Sequence, residues 1–116
     1  VIPPVRIDRL WNIATWQDQI PWQPFREGIS IHQLYSDGKT GASAALLRYD
    51  RGAKVPLHEH QGYEHIFVLE GYQGDDQGEY GKGSLVINPP GTRHEVISKD
   101  GCIVLIIWEK PVNLCP

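Results

Sequence analysis

Short apolar stretches, broken at frequent intervals by turn residues, run through most of this chain. Residues 29–35 (Ile-Ser-Ile-His-Gln-Leu-Tyr) alternate with period two and end at the turn Ser36-Asp37-Gly38. A second run, 43–49, closes at Asp50-Arg51-Gly52, and further runs occupy 64–69, 84–87, 94–98 and 102–108. Val, Ile and aromatic residues dominate these runs, and Gly and Pro separate them. That pattern predicts an all-β sandwich or barrel. No segment sustains a 3.6-residue period; residues 7–19, flanked by prolines, have room for a short helical turn at most.

A strand with one wet face alternates apolar and polar residues. The runs 66–69 and 102–108 do not alternate, so something must cover their outer face. Two coverings are available: the aromatic N-terminal segment with Trp11, Trp16, Trp22 and Phe25, or a second subunit. The glycine-dense stretch 71–83 lacks the Lys-Ser/Thr ending of a phosphate loop and reads as a hairpin. The expected organisation is one domain over 1–116, with an arm at 1–28 and a barrel at 29–110.

Composition narrows the partners. The 116 residues carry 11 basic and 14 acidic side chains, a net charge of −3, with no basic cluster. That excludes the electrostatic footprint of a nucleic-acid binder. The longest apolar run, Cys102 to Trp108, is far too short to span a bilayer. The expected setting is therefore cytoplasmic, with neither nucleic acid nor membrane as partner. Cys102 opens an apolar run as a small core residue, and Cys115 is next to last, so no disulfide framework is expected.

Candidate chemistry lies in two windows. In His58-Glu59-His60-Gln61-Gly62-Tyr63-Glu64, the two histidines are spaced i, i+2 and point to one face of a strand. Gly62 can bend the chain so that Glu64 returns to the same point. In Pro89-Pro90-Gly91-Thr92-Arg93-His94, a stiff turn sets where His94 leaves the loop. One His-x-His alone is weak evidence, but four strong ligand types at these spacings indicate a metal site. His65 follows Glu64 directly and points to the opposite face. His32, Arg48 and Tyr63 are candidates for lining the pocket, each with an ordinary surface or packing role as the alternative.

These windows resemble the two motifs of the cupin family. The first motif matches at Gly52, His58, His60, Glu64 and Gly71. The second matches at Gly83, Pro89, Gly91 and His94, with Ser98 standing where the family has Asn. Leu-Leu-Arg-Tyr at 46–49, Phe-Val-Leu-Glu-Gly at 67–71 and Pro-Pro-Gly-Thr-Arg-His at 89–94 are similar to the ChrR-like group of cupins. The resemblance implies a double-stranded β-helix, or jelly-roll barrel. It also implies one divalent metal ion on His58, His60, Glu64 and His94. That group includes a zinc-dependent anti-sigma factor with an additional sigma-binding domain; this sequence is expected to be a free-standing version. Acetylacetone-cleaving dioxygenases look like relatives too, although their substrate pocket is not legible here.

Three imidazoles and a carboxylate suit Fe(II) or Zn(II) foremost, with Mn(II), Co(II) and Ni(II) also compatible, and not Ca²⁺ or Mg²⁺. The leading expectation is a metal-dependent oxidoreductase of dioxygenase type, acting on a small carbonyl-bearing substrate. A non-catalytic metal or small-ligand sensor and a metal-assisted isomerase or lyase are the alternatives. The sequence singles out no separate catalytic acid or base. Strands apolar on both faces, together with the aromatic arm, point to a homodimer.

Overall fold

The computed structural model describes residues 2–115. Its strands are β1 (Gln23–Arg26), β2 (Ile29–Ser36), β3 (Ser43–Tyr49), β4 (Ala53–His60) and β5 (Glu64–Asp75). They continue as β6 (Gly78–Gly81), β7 (Leu85–Asn88), β8 (Arg93–Ser98), β9 (Cys102–Trp108) and β10 (Val112–Leu114). Every pairing is antiparallel, in the order β1-β2-β3-β9-β5-β8-β4-β10, with β6 and β7 also on β5. The sheet begins before residue 29 and ends after residue 110, outside the barrel limits expected from sequence. β1 and β10 are short and not uniformly apolar, so only their pairing with β2 and β4 reveals them as strands.

The long strand β5 joins two layers. Its first half pairs with β7 and β9, and its last residues pair with β6 and β8. The switch falls at a register shift between Val68 and Glu70, just before Gly71. Gly71 has φ +73°, and a Cβ there would collide with the carbonyl oxygen of Gly101. Only glycine meets both demands. The glycine-dense stretch beyond it forms the β5–β6 hairpin, where Asp75 Oδ1 accepts from the Gln77 N–H at 2.8 Å.

Alternate residues of β3, β5 and β9 face two different cores. Ala45, Leu47, Tyr49, Ile66, Val68, Val104 and Ile106 point between the layers, where Ile29, Ala53 and Val96 meet them. Leu46, Leu69 and Ile103 point outward and are covered by Ile13 and Ile20, with Trp16 and Trp22 packed alongside. The N-terminal segment is thus what covers this part of the outer face. A single helical turn, α1 (Ile13–Trp16), between two 3₁₀ turns (Leu10–Asn12 and Gln17–Gln19) inserts Ile13, which is fully buried. The turns are tied down by Trp16 Nε1 to the Arg9 carbonyl at 2.9 Å and Trp22 Nε1 to the Gln17 carbonyl at 3.0 Å.

Gly71→Val should destabilise the fold by on the order of 3 kcal/mol, because strain at positive φ adds to the clash with Gly101. Urea unfolding checks this; a loss below about 1 kcal/mol would contradict the corner assignment.

Candidate metal centre

Cross-strand register assembles the site. His58 sits directly opposite His94 in the β4–β8 pair. Glu64, the first residue of β5, is flanked by Asn88 of β7 on one side and Trp108 of β9 on the other. His60 ends β4, where its N–H donates to the Thr92 carbonyl at 2.9 Å and its own carbonyl accepts from the Gly91 N–H at 2.8 Å. The stiff turn of the second motif is in this way bonded straight to the second histidine. Pro56, lacking an N–H, sits where the β4–β8 register shifts between Val55 and His58. Gly62 makes the return bend; a Cβ there would meet Glu109 Oε1 at 2.7 Å.

His58, His60, Glu64 and His94 are all buried, and one donor atom from each lies within 4.8 Å of the others. Their ring centroids are 4.5–5.0 Å apart. Each imidazole has its other nitrogen engaged. His58 Nδ1 donates to the Pro56 carbonyl at 2.9 Å. His60 Nδ1 donates to the Thr92 carbonyl at 3.0 Å and to Thr92 Oγ1 at 2.9 Å. His94 Nδ1 faces Asp75 Oδ2 at 3.4 Å. Carbonyl and carboxylate oxygens only accept, so each Nδ1 carries the proton and each Nε2 carries a lone pair.

The consequence is a cluster of acceptors facing one another. Nε2 of His60 and of His94 are buried without a hydrogen-bond partner. They lie 3.1 and 3.8 Å from Glu64 Oε1. Donor atoms sharing one ion at about 2.1 Å stand about 3–4 Å apart, so these two contacts have the spacing a shared ion would require. The residues fit a divalent metal ion. Burial pushes the Glu64 carboxyl up, but contact with His60 and hydrogen bonds from Trp108 Nε1 (2.8 Å) and Asn88 Nδ2 (3.0 Å) outweigh it and hold the group below its usual range. Burial holds the His58 imidazole below its ordinary value, so it favours the neutral, ligating form.

The other sequence candidates fall elsewhere. His32 pairs with Leu46 and shares its outward face. Arg48 stacks over Trp22, 4.7 Å from the ring centroid, and reaches Gln17 on the outer surface. Tyr63 is 47% exposed, and its N–H donates to Glu109. His65 pairs with Ile107 and Ile87 on the face opposite the site. The partners Asn88, Trp108, Thr92 and Asp75 were not singled out from sequence. Thr92 and Asn88 lie within the second motif, and Asp75 opens the stretch Asp-Asp-Gln-Gly-Glu-Tyr (75–80) that is similar to the ChrR-like group; nothing near Trp108 in sequence marks it.

His58, Glu64 and His94 open onto a cavity of about 50 Å³ between the layers. Leu47, Val55, Ile66, Val96 and Ile106 give it apolar walls, and Val112 and Leu114 of β10 line it from beside β4.

Comparison with known proteins agrees with this architecture. The ChrR cupin-like domain family matches residues 12–112. The chain belongs to this family. It is 29% identical over 98 residues to the anti-sigma-E factor ChrR of Cereibacter sphaeroides, a match covering 83% of this chain and 45% of that protein. ChrR in complex with SigE from Rhodobacter sphaeroides superposes with a TM-score of 0.68 at 28% identity, over 78% of this chain and 49% of that one. An acetylacetone dioxygenase from Acinetobacter johnsonii superposes with a TM-score of 0.81 at 19% identity, over 100% of this chain and 79% of that one. The fold is the cupin jelly roll, and this chain spans about half the length of the ChrR relative. No helix among the described residues is long and apolar enough to cross a membrane.

His60→Ala and His94→Ala should each lower bound metal well below one ion per chain, whereas His65→Ala should leave it unchanged. Asp75→Asn should weaken metal affinity by about 10-fold, because the carboxylate orients His94 and raises its basicity. Elemental analysis and competition with a chromophoric chelator test both; metal lost from His65→Ala but kept by His94→Ala would refute the site.

Proposed function

We propose that this cupin holds one divalent transition metal ion on His58, His60, Glu64 and His94 and acts as a dioxygenase-type enzyme on a small carbonyl-bearing molecule. The observation that carries this reading is the convergence of four buried donors, three of which line a largely apolar cavity. Four protein ligands leave positions free on a six-coordinate ion, as catalytic sites require. When bound, the metal would supply Lewis acidity and an anchor for substrate oxygen atoms. The chain's own part is positioning and exclusion. Trp108 and Asn88 pin the Glu64 carboxylate, the Nδ1 bonds fix each imidazole, and the aliphatic walls limit water. The likeness to acetylacetone dioxygenase supports this reading by extending over the whole of this chain.

A second reading is favoured by the ChrR match: a metal or small-ligand sensor that reports to a protein partner, as anti-sigma ChrR engages SigE. Oxygen uptake separates the two. Anaerobically iron-loaded protein should consume oxygen with at least one member of a panel of β-diketones and β-keto acids, and Glu64→Ala should reduce uptake to background. No uptake across the panel would transfer the assignment to the sensor.

In this reading the protein works as a homodimer in the cytoplasm, where the unpaired thiols of Cys102 and Cys115 are at home. The N-terminal segment leaves Leu85 and Ile87 of β7 each 48% exposed, beside an outward groove formed with Tyr35, Tyr63 and Ile107. Light scattering should give about twice the chain mass of 13.1 kDa, and Ile87→Glu should return it to that mass. A monomer at micromolar concentration would refute the dimer.

A further inference from the structure

One polar side chain in the cavity has no part in the metal centre. Gln73, on the second half of β5, is 4% exposed and lines the same space as His58, Glu64 and His94. Its Nε2 is buried and has no hydrogen-bond partner. A buried amide donor with no protein acceptor is left for water or a ligand in the cavity to satisfy. The neighbouring walls of Leu47, Val55, Ile66, Val96 and Ile106 offer no acceptor side chain. Tyr49, which also lines the cavity, lies against Gln73. Burial pushes the Tyr49 phenol far above its ordinary range, so it keeps its proton and its ability to donate. This side of the cavity therefore presents the Gln73 amide, a donor through Nε2, beside the Tyr49 hydroxyl, which can donate or accept.

The size of the space limits what can meet them. A cavity of about 50 Å³ has room for water and for a small ligand, not a bulky one.

We propose that Gln73 Nε2 donates a hydrogen bond to an oxygen of a short carboxylate or carbonyl ligand bound at the metal, and so selects for an oxygen acceptor inside an otherwise apolar cavity. This rests on the metal-binding reading above. It adds a ligand class, short and oxygen-bearing, and a specificity residue lying outside both metal-binding motifs. Gln73 is a positioning residue for the ligand, not a metal ligand.

The test uses the full chain loaded with Co(II), whose visible absorption reports on the metal's surroundings, and acetate as the probe. Acetate should perturb the cobalt bands of the wild-type protein. Gln73→Leu should take up the same amount of cobalt and require at least a tenfold higher acetate concentration for the same change. Its thermal midpoint should be unchanged or raised, because an unsatisfied buried donor has been removed; a purely structural glutamine would instead cost stability. Gln73→Met, similar in length, answers the same question if the leucine variant does not fold. Cobalt uptake with no acetate response in the wild type, or acetate affinity within twofold of wild type in the variants, overturns the role of Gln73 and leaves the metal centre standing. A wild-type chain that takes up no cobalt overturns both.

Discussion

Packing three imidazole nitrogens and a carboxylate oxygen into one buried spot costs solvation that the chain itself does not return. Every Nδ1 is committed to Pro56, Thr92 or Asp75, which leaves lone pairs at Nε2 facing Glu64. A cation shared by all four groups would relieve this. The surrounding architecture holds those donors together against their mutual repulsion. Without the backbone carbonyls fixing the tautomers, the rings could turn and satisfy themselves locally.

That rigidity is a property of the sheet. His58 and His94 are held by direct cross-strand pairing, and Glu64 is held by its neighbours on both sides. The two layers that carry these strands are joined through β5, which turns from one to the other at Gly71. Glu64 at one end of this strand and Gln73 and Asp75 near the other thus reach the same site from different layers. The N-terminal segment contributes from outside. By covering Leu46, Leu69 and Ile103 it lets β3, β5 and β9 be apolar on both faces, which seals the cavity wall behind them.

Within the cavity, stability and function pull in opposite directions. An aliphatic residue at position 73 would pack with its neighbours without leaving a donor unpaired. The molecule carries an amide there instead, beside a phenol, in a small cavity. A retained energetic cost next to a metal centre is the usual mark of a site shaped by its ligand.

Much of this protein was legible in its sequence because the relevant geometry is local. The i, i+2 spacing of His58 and His60, the bend at Gly62, the stiff turn before His94 and the short apolar runs all follow from a few adjacent residues, and they sufficed to predict an all-β barrel and to name the four donors. The family resemblance carried by the two motifs specified the jelly roll. Which of two coverings lay over the apolar strands was open until the N-terminal segment was seen to bury Ile13 against them. His32 and Arg48, plausible as pocket residues, were assigned to the outer face by pairing and packing that local sequence does not encode. Trp108, Asn88, Asp75 and Gln73 became part of the site through register between strands far apart in the chain. Side-chain periodicity is written in neighbouring residues, whereas register and layer crossing are set by the closed sheet as a whole. For that reason the sequence named the donors, and only the tertiary structure decided what holds them and what faces them.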